Sequence, residues 1–142
     1  MNLIRTIQAG EQQSWVNLLF VPGPHKGSWV PLYPFRLPFP CRLRQGLVNG
    51  YVYLLYQRRL VGYGIIEKVV PRQSAMLVGT NKQSVRSGDT VVIDGVYKRM
   101  PTALQQVEAR GFMGPRYTNL DLHTLTPNAV RAALTAANVL VY

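Results

Sequence analysis

Two apolar runs dominate the hydropathy pattern, YVYLLY at residues 51–56 and LVGYGIIEKVV at residues 60–70, and they are separated by the polar break Gln57, Arg58, Arg59. Both runs are rich in β-branched and aromatic residues, which predicts a β-hairpin with the polar break as its connection. Alternation along the second run places Val61, Tyr63, Ile65, Glu67 and Val69 on one face and Leu60, Gly62, Gly64, Ile66, Lys68 and Val70 on the other. Neither face is polar throughout, so the strand is expected to be buried on one side and half covered on the other, as in a barrel. Gly62 and Gly64 read as sites of sharp bending or close approach.

The remaining pattern is a succession of short elements. SWVNLLFV at residues 14–21 predicts a first strand, followed by the loop PGPHKGS and then VPLYPFRLPFP at residues 30–40. The four prolines of that last stretch exclude a helix and a central strand, because each lacks an amide proton and biases its predecessor away from helix. It is expected to be extended and loop-like, with CRLRQGLVNG after it forming a short helical turn that ends at Asn49-Gly50. SAMLVG (74–79) and TVVID (90–94) read as further strands, with turns at Ser87-Gly88-Asp89 and near Gly95. Pro101 and Gly111 bracket a predicted helix over about 101–110. Residues 117–123 alternate as a strand that puts Tyr117, Asn119, Asp121 and His123 on one face. Thr126 as cap, Pro127 at the first helical position and the stripe Val130, Ala133, Leu134, Ala137 predict a C-terminal helix, with VLVY as a closing strand. The expected architecture is a single domain over residues 1–142, with a proline-rich N-terminal third. It is mixed α/β but β-rich: a small, strongly bent sheet or barrel with two or three short helices.

Composition changes the picture through charge. Sixteen Lys and Arg stand against six Asp and Glu, a net charge of +10, while charged residues make up only 15% of the chain. Most of the cations therefore have no carboxylate to pair with and must face water or an anion, which points to a polyanionic partner, above all nucleic acid. With 47% hydrophobic residues the chain is built to fold. No apolar run reaches the roughly 18–20 residues of a membrane span, and the first residues lack the apolar stretch of a signal peptide, so a cytoplasmic location and no membrane are expected. Cys41 is the sole cysteine. It has no Cys or His neighbour at zinc spacing, and neither a metal nor another cofactor is implied.

The segment from RQGLVNGYVYLLYQRRLVGYGIIEKVV through VRSGDTVVIDG resembles the core of the PUA-like superfamily of PUA, ASCH and EVE domains. The resemblance lies in a strand of the form xVYxxY paired with a strand GxGxIxxVV, and in a Gly-Asp turn before another strand, over about residues 45–95. It implies a pseudobarrel whose concave face binds RNA or DNA, in several relatives by accepting a single, often modified, base in a pocket. The proline-rich first third and the GFMGPRY loop depart from the family pattern.

Arg58 and Arg59 at the hairpin tip, with Arg42 and Arg44 before it, are expected to line a phosphate track, since guanidinium meets phosphate oxygens with paired hydrogen bonds. Lys98, Arg99 and Arg116 flank a helix start and a Gly-rich loop. Trp29 and Tyr33, in their proline-rich setting, and Tyr117 beside Arg116 are the rings expected to stack on bases. The first expectation is a non-catalytic nucleic-acid-binding module that reads RNA or DNA without enzymatic activity. One alternative is a hydrolase of a modified nucleoside using Asp121, His123 or Lys68, although Glu67 and Lys68 point to opposite faces of their strand and form no evident triad. Another is an interaction protein whose basic face meets an acidic partner.

Overall fold

The computed structural model describes residues 1–7, 9–10, 12–21, 36–39, 43–76 and 85–142, excepting the side chains at 15, 36–39, 70–76, 85–88 and 90. Its centre is β3 (Tyr51–Tyr56), a run with apolar residues at every position because both of its faces are covered. Val52, Leu54 and Tyr56 enter one core, with Leu3, Ile66, Val91, Ile93 and Tyr97. Tyr53 and Leu55 enter a second core, with Ile4, Leu60, Val107, Leu122, Val130 and Leu134. Six strands pair in the order β2-β5-β4-β3-β1-β6, where β1 is Asn2–Thr6, β2 Arg36–Phe39, β4 Arg59–Met76, β5 Val85–Arg99 and β6 Arg116–Thr118. β1 runs parallel to β3, and the other pairs are antiparallel.

The domain is β-rich and mixed, as the pattern predicts, but among the described residues the sheet is open and does not close into a barrel. Among the described residues its edge strands are short, four residues in β2 and three in β6, which limits the exposed ladder that closure would otherwise remove. Pro38 lies in β2 at one of these edges, where a residue without an amide proton is tolerated.

The predicted hairpin forms. Its connection is Gln57-Arg58 alone, both at positive φ (49° and 69°), while Arg59 pairs with Tyr56 as the first residue of β4. Positive φ at both central residues is the type I′ turn, whose twist matches that of the flanking strands. The alternation of β4 does not run unbroken. Leu55 pairs with Leu60 and Leu54 with Gly62, so Val61 is an extra residue, and beyond it Tyr63 lies opposite Tyr53 while Gly62 and Gly64 face the first core. A side chain at Gly62 would put its Cβ 2.7 Å from Cζ of Phe20 and 2.8 Å from the Lys98 carbonyl, so the glycine admits Phe20 onto the sheet.

Several expected elements fold otherwise. The apolar run at 14–21 is α1 (Gln13–Asn17) and a 3-10 turn (Leu18–Phe20), which bury Val16 and Leu19 against the first core at helical spacing. The predicted turn at Ser87-Gly88-Asp89 is inside β5, where Gly88 pairs with Gln73 and Ser87 with Ser74. Gly95, at φ 76°, marks a bulge and no chain reversal: Tyr63 pairs with Lys98 and Ile65 with Asp94, leaving two extra residues on β5. The expected helix over 101–110 shrinks to a 3-10 turn at Leu104–Gln106, because Glu108 bridges to Arg59 and Ala109 to Val141 and the chain there is held extended. Residues 117–123 do not form one strand; β6 ends at Thr118 and Leu122–Thr124 is a 3-10 turn that buries Leu122. The C-terminal helix α2 (Pro127–Ala136) forms as expected, with Thr126 Oγ1 accepting from the Ala129 N–H at 3.3 Å and Val130, Ala133 and Leu134 buried. VLVY forms no strand: Val141 makes an isolated bridge to Ala109, and Val139 is buried in the second core.

The I′ turn yields a direct test. Each non-glycine residue held left-handed costs about 1–2 kcal/mol, and Asn-Gly is the pair this turn favours. Gln57→Asn combined with Arg58→Gly is therefore expected to raise the urea unfolding midpoint at unchanged m-value, despite losing the contact of Arg58 with Tyr142. A midpoint that stays or falls contradicts the turn assignment.

Candidate nucleic-acid interface

Three of the residues singled out in the sequence come together at the free edge of β6. Tyr117 pairs with Leu3 and leans toward the first core. The Arg44 guanidinium lies 4.6 Å from its ring centroid, and the Arg44 N–H donates to the Tyr117 hydroxyl at 3.3 Å. One residue thus holds both the face and the tip of the ring. Arg116 is anchored by its own loop: Nη1 donates to the carbonyls of Met113 (3.0 Å) and Pro115 (3.1 Å), and the guanidinium lies 4.8 Å from the Phe112 ring centroid. Gly114, at φ 75°, lets the loop turn back to make these contacts. Both bonds leave from Nη1, so neither uses the Nη2–Nε edge, a pair of donors suited to a phosphate.

These side chains border a hollow of about 300 Å³ lined by Met1, Arg44, Tyr117, Leu120, Ala133 and Ala136 among others, and Arg116, Pro115 and Asn138 line its continuation. Arg44 reaches the hollow from one side of the sheet and the small residues of α2 from the other, so it wraps around the β6 edge. Among the described residues its lining contains two arginines and no carboxylate.

A smaller cavity, of about 130 Å³, lies where the β5 bulge turns Asp94, Val96 and Lys98 toward Tyr51, Tyr63 and His123. His123 stacks on Tyr63 (centroids 4.3 Å apart, planes 11° apart) and meets Tyr51 edge-on at 4.6 Å. Its Nδ1 is hydrogen-bonded to the Tyr53 hydroxyl at 2.8 Å. Burial pushes the Tyr53 phenol well above its ordinary value, so it stays protonated. The His123 imidazole is pushed below its ordinary 6.5, chiefly by burial and further by Lys98, against the opposing pull of Asp121. The Asp121 carboxylate accepts from Asn2 Nδ2 at 3.0 Å.

The other sequence-predicted residues lie apart from the hollow. Arg59 forms an ion pair with Glu108 at 2.9 Å and donates to the Gln105 carbonyl at 3.0 Å, and Arg58 sits over the Tyr142 ring at 5.0 Å. Both are at the far end of β3 from Arg44. Lys98 borders the small cavity, whereas its neighbour Arg99 packs over Phe20 at 4.3 Å. Lys68 is on β4, opposite Val92 of β5. Arg42, Trp29 and Tyr33 lie outside the described residues. No pattern along the chain links Tyr51, Tyr63, Asp94 and His123, because the bulges that bring them together leave no periodic signature. No family model matches the chain, and neither a curated protein nor a solved structure matches it.

The lowered His123 titration predicts a pH effect on stability. A ring that takes up a proton less readily when folded than when unfolded loses the native state stability as pH falls below 6.5, until the folded ring titrates too. The melting temperature is expected to fall between about pH 7.5 and pH 5.5, and more steeply in the wild type than in His123→Phe. Parallel profiles for the two proteins would contradict this.

Proposed function

We propose that the protein is a non-catalytic nucleic-acid-binding module that takes the phosphate backbone at the β6 hollow. The observation that carries this reading is the convergence of Arg44, Arg116 and Tyr117 on one hollow that has no carboxylate among its described lining residues, in a chain of net charge +10. Arginine anchored by carbonyls and by an aromatic face is already ordered, so less side-chain freedom is lost when it meets a phosphate. The cavity between Tyr51, Tyr63 and Lys98 is the feature that supports the finer PUA-like expectation of a base held in a pocket. The pairing of β3 with the glycine-bearing β4 supports the same resemblance. No helix among the described residues is long and apolar enough to cross a membrane, and we place the module with nucleic acid in the cytoplasm.

Counterion release makes the test quantitative. Each phosphate contact contributes about 0.7–0.9 to the slope of log K against log salt, so Arg44→Ala with Arg116→Ala is expected to lower the slope by about 1.5. Arg59→Ala, which removes a cation already paired with Glu108, is expected to leave it nearly unchanged. Oligonucleotide binding followed by fluorescence anisotropy over a salt series reads both. Absence of binding to any RNA or DNA at low salt overturns the proposal.

A further inference from the structure

We propose that the β6 hollow selects single-stranded nucleic acid, with an unstacked base laid on the outward plane of the Arg44 guanidinium so that base, Arg44 and Tyr117 form one continuous stack. This rests on the nucleic-acid reading above and specifies its ligand.

The geometry supplies three reasons. First, a guanidinium is planar with two usable faces. The central carbon of the Arg44 guanidinium lies over the Tyr117 ring, 4.6 Å from its centroid, and the residue is exposed; a guanidinium laid on that ring keeps its second face for a ligand. Second, the platform is held in place. The ring hydroxyl accepts from the Arg44 amide, Tyr117 packs on the first core, and β6 is fixed by its pairing with β1. A base landing there meets a platform whose ring is already fixed in position. Third, the walls are arranged for a single strand. The side facing Arg44 across the β6 edge is made by Ala133, Ala136 and Ala137, whose small side chains leave a hollow of about 300 Å³, while Arg116 stands beside it to meet an adjacent phosphate. That volume is at the small end of the range for ligand pockets, the scale of a nucleotide. In a duplex the π-faces of the bases are covered by their neighbours and only groove edges and phosphates are offered; in a single strand the faces are available to aromatic rings and guanidinium planes.

The test separates the base from the phosphates. Binding of the intact protein is measured at one salt concentration to a labelled single strand of about ten nucleotides, to an abasic strand with the same number of phosphates, and to a duplex of the same sequence. The base-bearing single strand is expected to bind about 10-fold tighter than the abasic strand, in line with the contribution of one stacked base, and tighter than the duplex. Arg44→Lys keeps the charge and removes the plane. It is expected to bring the base-bearing strand down to the abasic affinity while leaving the salt slope unchanged. Equal affinity for base-bearing and abasic strands, equal or tighter duplex binding, or a base preference that survives Arg44→Lys overturns the stacking proposal while the nucleic-acid reading stands. Failure of every oligonucleotide to bind overturns both.

Discussion

The arrangement depends on one buried amide. Asn2 is 3% exposed, and its side chain satisfies three groups on two other pieces of the chain at once: Oδ1 accepts from the Tyr51 N–H at 2.8 Å, and Nδ2 donates to the Leu120 carbonyl at 2.8 Å and to Asp121 Oδ1 at 3.0 Å. It sits at the start of β1, beside the start of β3, and beneath the segment that leads from β6 to His123. A buried polar group left without partners costs about 1–3 kcal/mol, so this amide ties the β1 and β3 ends to residues 120–121 in one arrangement. Both candidate features hang from it. Leu120 lines the hollow, and His123, held by Tyr53 from the middle of β3, closes the small cavity.

Cations are distributed in a way the net charge alone does not reveal. At the hairpin tip Arg59 is matched by Glu108, a half-exposed pair of the kind that contributes only about 0.2–1 kcal/mol. The tip is therefore neutralised more than strengthened, and Arg58 lies on Tyr142. At the β6 edge, by contrast, the arginines are held by carbonyls and aromatic faces, which order them without cancelling their charge. Order without neutralisation is what favours an incoming anion; Arg58 on Tyr142 and Arg99 on Phe20 share it, and what sets Arg44 and Arg116 apart is that the two border one hollow.

What the sequence revealed follows from the physics of each signal. The β3–β4 hairpin and α2 were legible because their cues are local: dense apolar runs about a short polar break, and a Thr-Pro start ahead of a helical stripe. The pattern at α1 reads as a strand because a short apolar run has the same composition in a helix and in a strand, and only tertiary burial of Val16 and Leu19 decides between them. The helix expected near residue 105 lost to long-range bridges from Arg59 and Val141, which local propensity does not record. Of the candidate site, residue types were legible but grouping was not. Arg44, Arg116 and Tyr117 stood out by charge and ring, yet nothing along the chain sets Arg44 beside Tyr117, 73 residues away; the edge position of β6 does. Alternation places Asp121 and His123 on one strand face, whereas His123 lies inside the 3-10 turn Leu122–Thr124 that starts just after Asp121, and each has a different partner.

The claim that binding is localised at the β6 edge, and not spread over a generally basic surface, is tested most directly by an NMR titration of the amide resonances with a short single-stranded oligonucleotide. The largest shifts are predicted at Arg44, at Arg116 through Leu120 and at the C-terminal end of α2, with Gln57, Arg58 and Arg59 unmoved. Shifts concentrated at the hairpin tip, or small and even over every exposed basic residue, would contradict it.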